Sequence, residues 1–345
     1  LSVSSAASDV YKRQVQRILQ GKFMKKILIT GAAGFIGSHL TERCVEEGFE
    51  VIAFDRYNSE NHWGWLENSK HKGNFEMVLG DIRDFDSVSN SMQNVDCIFH
   101  LAALIGIPYS YNSPLAYIKT NIEGTYNVLQ SAREKSVENI LITSTSETYG
   151  TAQKIPMDED HPKVGQSPYS ATKIAADQLA ISFHKSFDLP IKIVRPFNTY
   201  GPRQSSRAII PNITSQLIVG NEVNLGNIEP TRDFTYVEDT CSGFLQIMES
   251  AKLIGEEVNI GMNEEISIKE LVSKIAGILG KEYKIVGQDE RKRPENSEVE
   301  RLNCDNSKIM AATEWQPKFD LDSGLEETIK WLKDNSSEKM GEYNV

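Results

Sequence analysis

The sequence is poor in cysteine, has no long apolar run and carries no excess of positive charge. Each shortage excludes a class of protein. Its 345 residues include four cysteines, Cys44, Cys97, Cys241 and Cys304. None forms a CxxC pair, so neither a disulfide framework nor a zinc site is expected, no other metal is called for, and a reducing, cytoplasmic setting is. No stretch approaches the roughly 20 apolar residues that cross a bilayer, so no membrane partner is expected. The net charge is −11, and residues 1–23 contribute +3 of their own (Lys12, Arg13, Arg17 and Lys22 against Asp9), which leaves −14 on the rest. Such an acidic body lacks the clustered Lys and Arg that nucleic acid requires. A few placed arginines can still bind a small phosphate ligand. Residues 1–23 also lack the apolar core of a signal peptide. They precede Met24-Lys25-Lys26, which reads as a natural start, so this leader is expected to be disordered or adventitious.

What remains is an ordinary globular mixture, 39% hydrophobic and 25% charged. Short β-branched runs predict strands at Lys26–Thr30, Glu50–Asp55, Phe75–Leu79, Val95–Ala102, Asn139–Ser144 and Ile191–Pro196. Helical spacing falls between them at Phe35–Glu47, Leu115–Lys135 and Tyr169–Phe187. Alternation of this kind predicts an α/β fold, a doubly wound parallel sheet over residues 24–197. Beyond 197 the pattern breaks into short strands and helices, with clear helices at Ser267–Leu279 and Leu321–Lys333. A smaller mixed α/β lobe over 198–337, partly interleaved with the first, is expected, followed by a tail at 338–345.

Gly31-Ala-Ala-Gly34-Phe35-Ile36-Gly37 follows the first strand and opens a helix. Glycines there permit a tight turn and a close approach of backbone to pyrophosphate, and the helix N-terminus offers free N–H groups. Asp55 ends the second strand, where a carboxylate accepts from the ribose hydroxyls and repels a 2′-phosphate. That favours NAD over NADP, although Arg56 alongside could pair with such a phosphate. Asp81 and Ile82 are placed to flank adenine. Leu101, Ala102 and Ala103, with Thr120 and Pro196, are further expected cofactor contacts.

Tyr169 and Lys173 stand at i and i+4 on one helix face. An unperturbed phenol is a poor base at neutral pH. A nearby ammonium stabilises the phenolate and lets it take a proton from a hydroxyl. Lys173 is also placed to hold the nicotinamide ribose. Thr145, twenty-four residues earlier at the end of the fifth strand, can hydrogen-bond the reacting oxygen.

GAAGFIGSHL, HLAA, STSETYG, PYSATK, RPFNTYGPR and RDFTYVEDT together resemble the extended short-chain dehydrogenase/reductases, the nucleotide-sugar epimerase/dehydratase family, from about Met24 to Lys333. The resemblance implies an NAD-dependent Rossmann enzyme acting on a nucleotide sugar through oxidation at C4. It also implies a homodimer in which helices 115–135 and 169–187 form a four-helix bundle. Thr145-Ser146-Glu147 is similar to the segment of GDP-mannose-type 4,6-dehydratases, in which the glutamate removes the C5 proton. On a strand end, Glu147 is expected to project to the same side as Thr145. The dTDP-glucose-type dehydratases carry Asp where this chain has Ser146, so Ser146 and a recycled proton on Glu147 are both candidates to protonate the departing C6 hydroxyl. C4-epimerases, which need no such base, and UDP-glucuronate decarboxylases, which also have a Ser-Glu pair, are the alternatives. Asn198, Arg203, Arg207, Arg232 and Arg301 are expected to hold the substrate; at the positions of Arg232 and Arg301 the family binds the diphosphate. FNTYGPRQSSRAIIP, with YNSENHWGWLE, most resembles dehydratases of legionaminic-acid-type pathways, which act on GDP- or UDP-linked N-acetylglucosamine.

Overall fold

The computed structural model describes residues 25–288 and 294–335; the expected leader, the tail and the last two residues of the expected lobe lie outside them. Seven parallel strands form the main sheet: β1 (Lys26–Thr30), β2 (Glu50–Arg56), β3 (Glu76–Gly80), β4 (Cys97–His100), β5 (Asn139–Thr143), β6 (Ile191–Pro196) and β7 (Glu257–Ile260). Their order is β3-β2-β1-β4-β5-β6-β7. Alternate residues of each strand enter opposite layers, because side chains along a strand point to alternate faces. Ile27, Ile29, Val51 and Ala53 join one buried cluster, Leu28, Ile52 and Phe54 the other. The first layer is covered by α1 (Phe35–Glu46) packed on α5 (Val237–Glu249). The second is covered by α2 (Phe85–Ser91), α3 (Gly124–Glu134) and α4 (Pro168–Phe187). Strand order reverses between β1 and β4, which opens a crevice at the carboxyl ends of the strands.

β7 and α5 come from beyond residue 197 and complete the sheet and its first layer. Two local features differ from the expectation. β4 ends at His100 rather than Ala102. There the imidazole is held between the hydroxyls of Thr30 (2.7 Å) and Thr125 (3.1 Å), and the chain leaves the sheet. The helix expected over Leu115–Lys135 is α-helical at Pro114–Tyr117, π-helical at Ile118–Glu123 and α-helical again in α3. Asn121 accounts for the widened turn. Its amide grips both the N–H and the carbonyl of Leu104, at 2.9 and 3.0 Å, and the Thr125 hydroxyl donates to the Asn121 carbonyl.

The smaller lobe carries helices Ile209–Val219, Ile268–Leu279 and Leu321–Asp334. Its short strands pair as Glu222–Leu225 with Lys284–Gly287 and as Thr231–Arg232 with Ile266–Ser267. Asn198–Tyr200 with Phe234–Tyr236 joins it to the sheet's edge. Among the described residues no helix is long and apolar enough to cross a membrane.

Two buried histidines stay neutral in this fold. Burial pushes His39 down to about 4 and His100 to about 3. The unfolded chain takes up these protons as pH falls below about 6.5, and the folded chain does not. The stability they contribute is therefore present above pH 6.5 and lost as pH falls through about 4. The His39 ring contacts the Pro202 carbonyl at 3.0 Å. His39→Gln, which can donate to that carbonyl without titrating, is expected to flatten the loss of Tm between pH 6.5 and 4. An unchanged slope in a thermal-unfolding series would contradict this.

Candidate active site

A cleft of about 1640 Å³ runs across the switch point between β1 and β4 and under the smaller lobe. Single small-molecule pockets run to roughly 1,000 Å³. This one has room for a dinucleotide and a second ligand end to end.

The cofactor end is built from the β1–α1 turn. Gly31 sits at φ +73°, and a Cβ on it would lie 2.8 Å from the Ala102 nitrogen. A Cβ on Gly37 would lie 2.0 Å from the Gly31 carbonyl oxygen. No side chain caps α1 at Gly34, so its first N–H groups face the cleft uncapped. Asp55 sits at the far side. It accepts from the N–H groups of Ala33 and Arg56, both at 2.6 Å, and burial raises its pKa while those two bonds oppose the rise. Gly34, Phe35, Ile36, Arg56, Asp81, Ile82, Leu101, Ala102, Ala103, Thr120 and Pro196 all line the cleft. Asp81 is held by the Arg83 guanidinium at 2.5 Å. An uncapped helix end, a glycine cradle and a carboxylate at the tip of β2 fit a dinucleotide, and these residues are the ones that would hold it.

Ser167 and Ser170 cap α4 reciprocally, which fixes where its first turn begins and hence where Tyr169 stands. Thr145, Glu147 and Tyr169 line the cleft together, and Thr145 hydrogen-bonds Tyr169. Three details differ from the expectation. Burial dominates at Tyr169 and pushes its phenol up, and the Thr145 bond opposes this. Lys173 lies outside the cleft lining, fully buried, and donates to the Thr143 carbonyl at 2.7 Å. Burial pushes its ammonium down, with Asp177 opposing. Glu147 is not on a strand end. β5 stops at Thr143, and residues 146–148 form a 3-10 turn capped by the Thr145 hydroxyl, which accepts from the Glu147 N–H at 3.3 Å. The tight turn brings Thr145 and Glu147 to the cleft and buries Ser146 outside it. Ser146, expected as a candidate acid, therefore does not line the cleft.

The substrate end contains Asn198, Arg207 and Arg232. Asn198 Oδ1 is buried there with no hydrogen-bond partner among the described residues. Arg232 is 7% exposed and reaches Glu298 at 3.4 Å. Arg203 and Arg301 do not line the cleft. Arg203 turns to Glu42 on α1 (2.9 Å), and Arg301 makes a forked pair with Glu265, because each has a carboxylate closer than the cleft. Sequence reasoning missed Glu298 and Gln204, both in the lining. Gln204 lies within FNTYGPRQSSRAIIP but between the two arginines singled out there, Glu298 lies outside the quoted motifs, and the tertiary structure brings both to the cleft.

The family described as GDP-mannose 4,6 dehydratase matches residues 28–328. The dTDP-D-glucose 4,6-dehydratase of Homo sapiens is 30% identical over 92% of this chain and 92% of its own length. The UDP-N-acetyl-alpha-D-glucosaminuronate decarboxylase of Bacillus cytotoxicus is 31% identical over 90% of this chain and 98% of its own. A crystal structure of a UDP-glucuronic acid 4-epimerase mutant from Bacillus cereus, in complex with UDP-4-deoxy-4-fluoro-glucuronic acid and NAD, superposes with a TM-score of 0.82 at 30% identity, covering 90% of this chain and 99% of that one. The glycine cradle, the Thr145–Tyr169 pair and these matches along nearly the whole chain lead to one conclusion: the chain belongs to the GDP-mannose 4,6-dehydratase family, within the NAD-dependent nucleotide-sugar epimerases and dehydratases of the extended short-chain dehydrogenase/reductase type.

Proposed function

We propose that the protein is a nucleotide-sugar 4,6-dehydratase, acting on GDP- or UDP-linked N-acetylglucosamine. The observation that carries this reading is Glu147, a carboxylate lining the cleft beside Thr145 and Tyr169, close enough for its charge to raise the Tyr169 phenol. Tyr169, hydrogen-bonded to Thr145, takes the proton of the C4 hydroxyl. NAD, when bound, supplies a hydride acceptor at C4 and a hydride donor at C6. Glu147 removes the C5 proton, which the C4 ketone has made acidic, and the C6–O bond breaks. The proton gathered by Glu147 leaves with the C6 oxygen as water, C5 takes a proton from solvent as C6 is reduced, and Tyr169 releases its proton to solvent, so the net change is loss of one water and a 4-keto-6-deoxy sugar. Buried Lys173 holds the β5 end through the Thr143 carbonyl. Arg207 and Arg232 face the diphosphate, and Asn198 Oδ1 accepts from a substrate N–H or O–H.

Glu147→Gln is expected to oxidise the sugar at C4 and stop there, with reduced nicotinamide retained and dehydration down by about 100-fold or more. Mass spectrometry in deuterated water reads this directly. Wild type gives loss of water with one deuterium gained. An isomer of unchanged mass, or loss of carbon dioxide, would make it an epimerase or a decarboxylase instead.

Gly37→Ala pushes a methyl into the Gly31 carbonyl and is expected to weaken NAD by about tenfold or more, ~1.4 kcal/mol, in calorimetry. NAD is expected to bind more tightly than NADP, and Asp55→Ser to narrow that gap.

A homodimer through α3, α4 and the turn before them fits the exposed Leu115 (60%), Ile118 (44%), Tyr126 (45%) and Phe187 (43%). Leu115→Glu is expected to shift the species seen by light scattering from dimer to monomer.

A further inference from the structure

The turn that carries Glu147 is flanked by a residue the chemistry above does not use. Tyr149 is fully buried, and its hydroxyl has both of its roles filled: it accepts from Arg195 Nη1 at 2.8 Å and donates to Asn259 Oδ1 at 2.8 Å. Its ring lies under the Arg195 guanidinium, 4.7 Å from centroid to Cζ, and edge-on to His161 at 5.4 Å. Its N–H donates to the Ser146 carbonyl at 3.0 Å, closing the 3-10 turn, and Gly150 N–H donates to the Glu147 carbonyl at 3.3 Å.

Arg195 connects this turn to the rest of the catalytic machinery. Its guanidinium is buried, with Nη2 on Asp177 at 2.8 Å and also on Glu257, and Nε on the Ser144 hydroxyl at 3.3 Å. Ser144 in turn donates to Asp177 at 2.6 Å. Asp177 lies one helical turn beyond Lys173 on α4, and Ser144 precedes Thr145. Asn259, on β7, is itself fixed: its amide donates to the Met157 carbonyl at 3.1 Å, and its N–H to Glu159 at 2.8 Å. One cation thus touches the helix of Tyr169 and Lys173, the end of β5 and the residue two places after Glu147. The turn itself is held on one side by the Thr145 cap and on the other by Tyr149.

We propose that Tyr149 is a positioning residue for Glu147: its hydroxyl, held by Arg195 and Asn259, fixes the 146–148 turn relative to α4 and so sets the carboxylate at a constant offset from Tyr169. Burial, the largest influence on the phenol, pushes its proton affinity up, which keeps it a neutral O–H that donates to Asn259. A dehydratase must carry out two proton transfers on adjacent carbons from two different elements, so their relative placement decides the second step and leaves the first alone. Misplacing a reacting group by about 1 Å can cost on the order of 100-fold in rate. The proposal rests on the reading of Glu147 as the C5 base.

The test separates the two steps in one sample. Wild type, Tyr149→Phe and Glu147→Gln, each with NAD, are given the donor, GDP- or UDP-N-acetylglucosamine, that wild type converts. C4 oxidation is followed by the near-ultraviolet absorbance of reduced nicotinamide, dehydration and deuterium uptake by mass spectrometry, and folding by Tm. Tyr149→Phe is expected to keep C4 oxidation within about twofold and to lose about 10- to 100-fold in dehydration, with reduced nicotinamide accumulating. Asn259→Ala removes the acceptor and keeps the tyrosine; it is expected to give the same selective loss, and it carries the test should Tyr149→Phe not fold. Equal loss of both steps, or loss of neither, overturns the proposal while leaving Glu147 as base. If Glu147→Gln does not stall after C4 oxidation, the reading of Glu147 fails first, and the proposal with it.

Discussion

A single buried guanidinium organises this site. Arg195 is fully buried on β6, and its partners Asp177 and Glu257 come from α4 and β7. Two carboxylates cannot share such a place without a cation between them. Losing one member of a buried ion pair costs about 3–5 kcal/mol, because the remaining charge has nowhere to go. The three elements are therefore locked in register by electrostatics, not by the fit of apolar side chains alone. The Tyr149 hydroxyl and the Ser144 hydroxyl complete the set, so four of the cation's five N–H donors are spent on structure.

The Asp177 carboxylate of this network also acts on Tyr169 and Lys173. Burial raises Tyr169 and lowers Lys173, and both shifts favour the uncharged form. The pair is held back from ionising by its surroundings, with the Thr145 bond and the Asp177 charge working in the opposite sense.

Much of this was legible in the sequence, and the residues show why. β1 and β6 begin and end where the sequence places them, because buried parallel strands are written as unbroken β-branched runs. The glycine turn and Asp55 are legible because backbone proximity and carboxylate placement leave fixed spacings. What was not legible depends on contacts distant in sequence. β7 is four residues of unremarkable composition, and only its pairing with β6 identifies it. Arg203 and Arg301 read like phosphate ligands until Glu42 and Glu265 are seen beside them. The turn at Ser146–Thr148 was taken for a strand end because a capping threonine and a β-branched strand residue look alike in one dimension.

The late arrival of β7 also shapes how the chain is made. Arg195 waits 62 residues for Glu257, and Tyr149 waits 110 residues for Asn259. During synthesis the first six strands emerge before β7 does, so β6 is for that interval an open sheet edge with unpaired backbone groups. Pairings this distant in sequence are the slow ones to form. A ribosome-bound chain therefore carries β6 with one edge unpaired until Glu257–Ile260 has emerged.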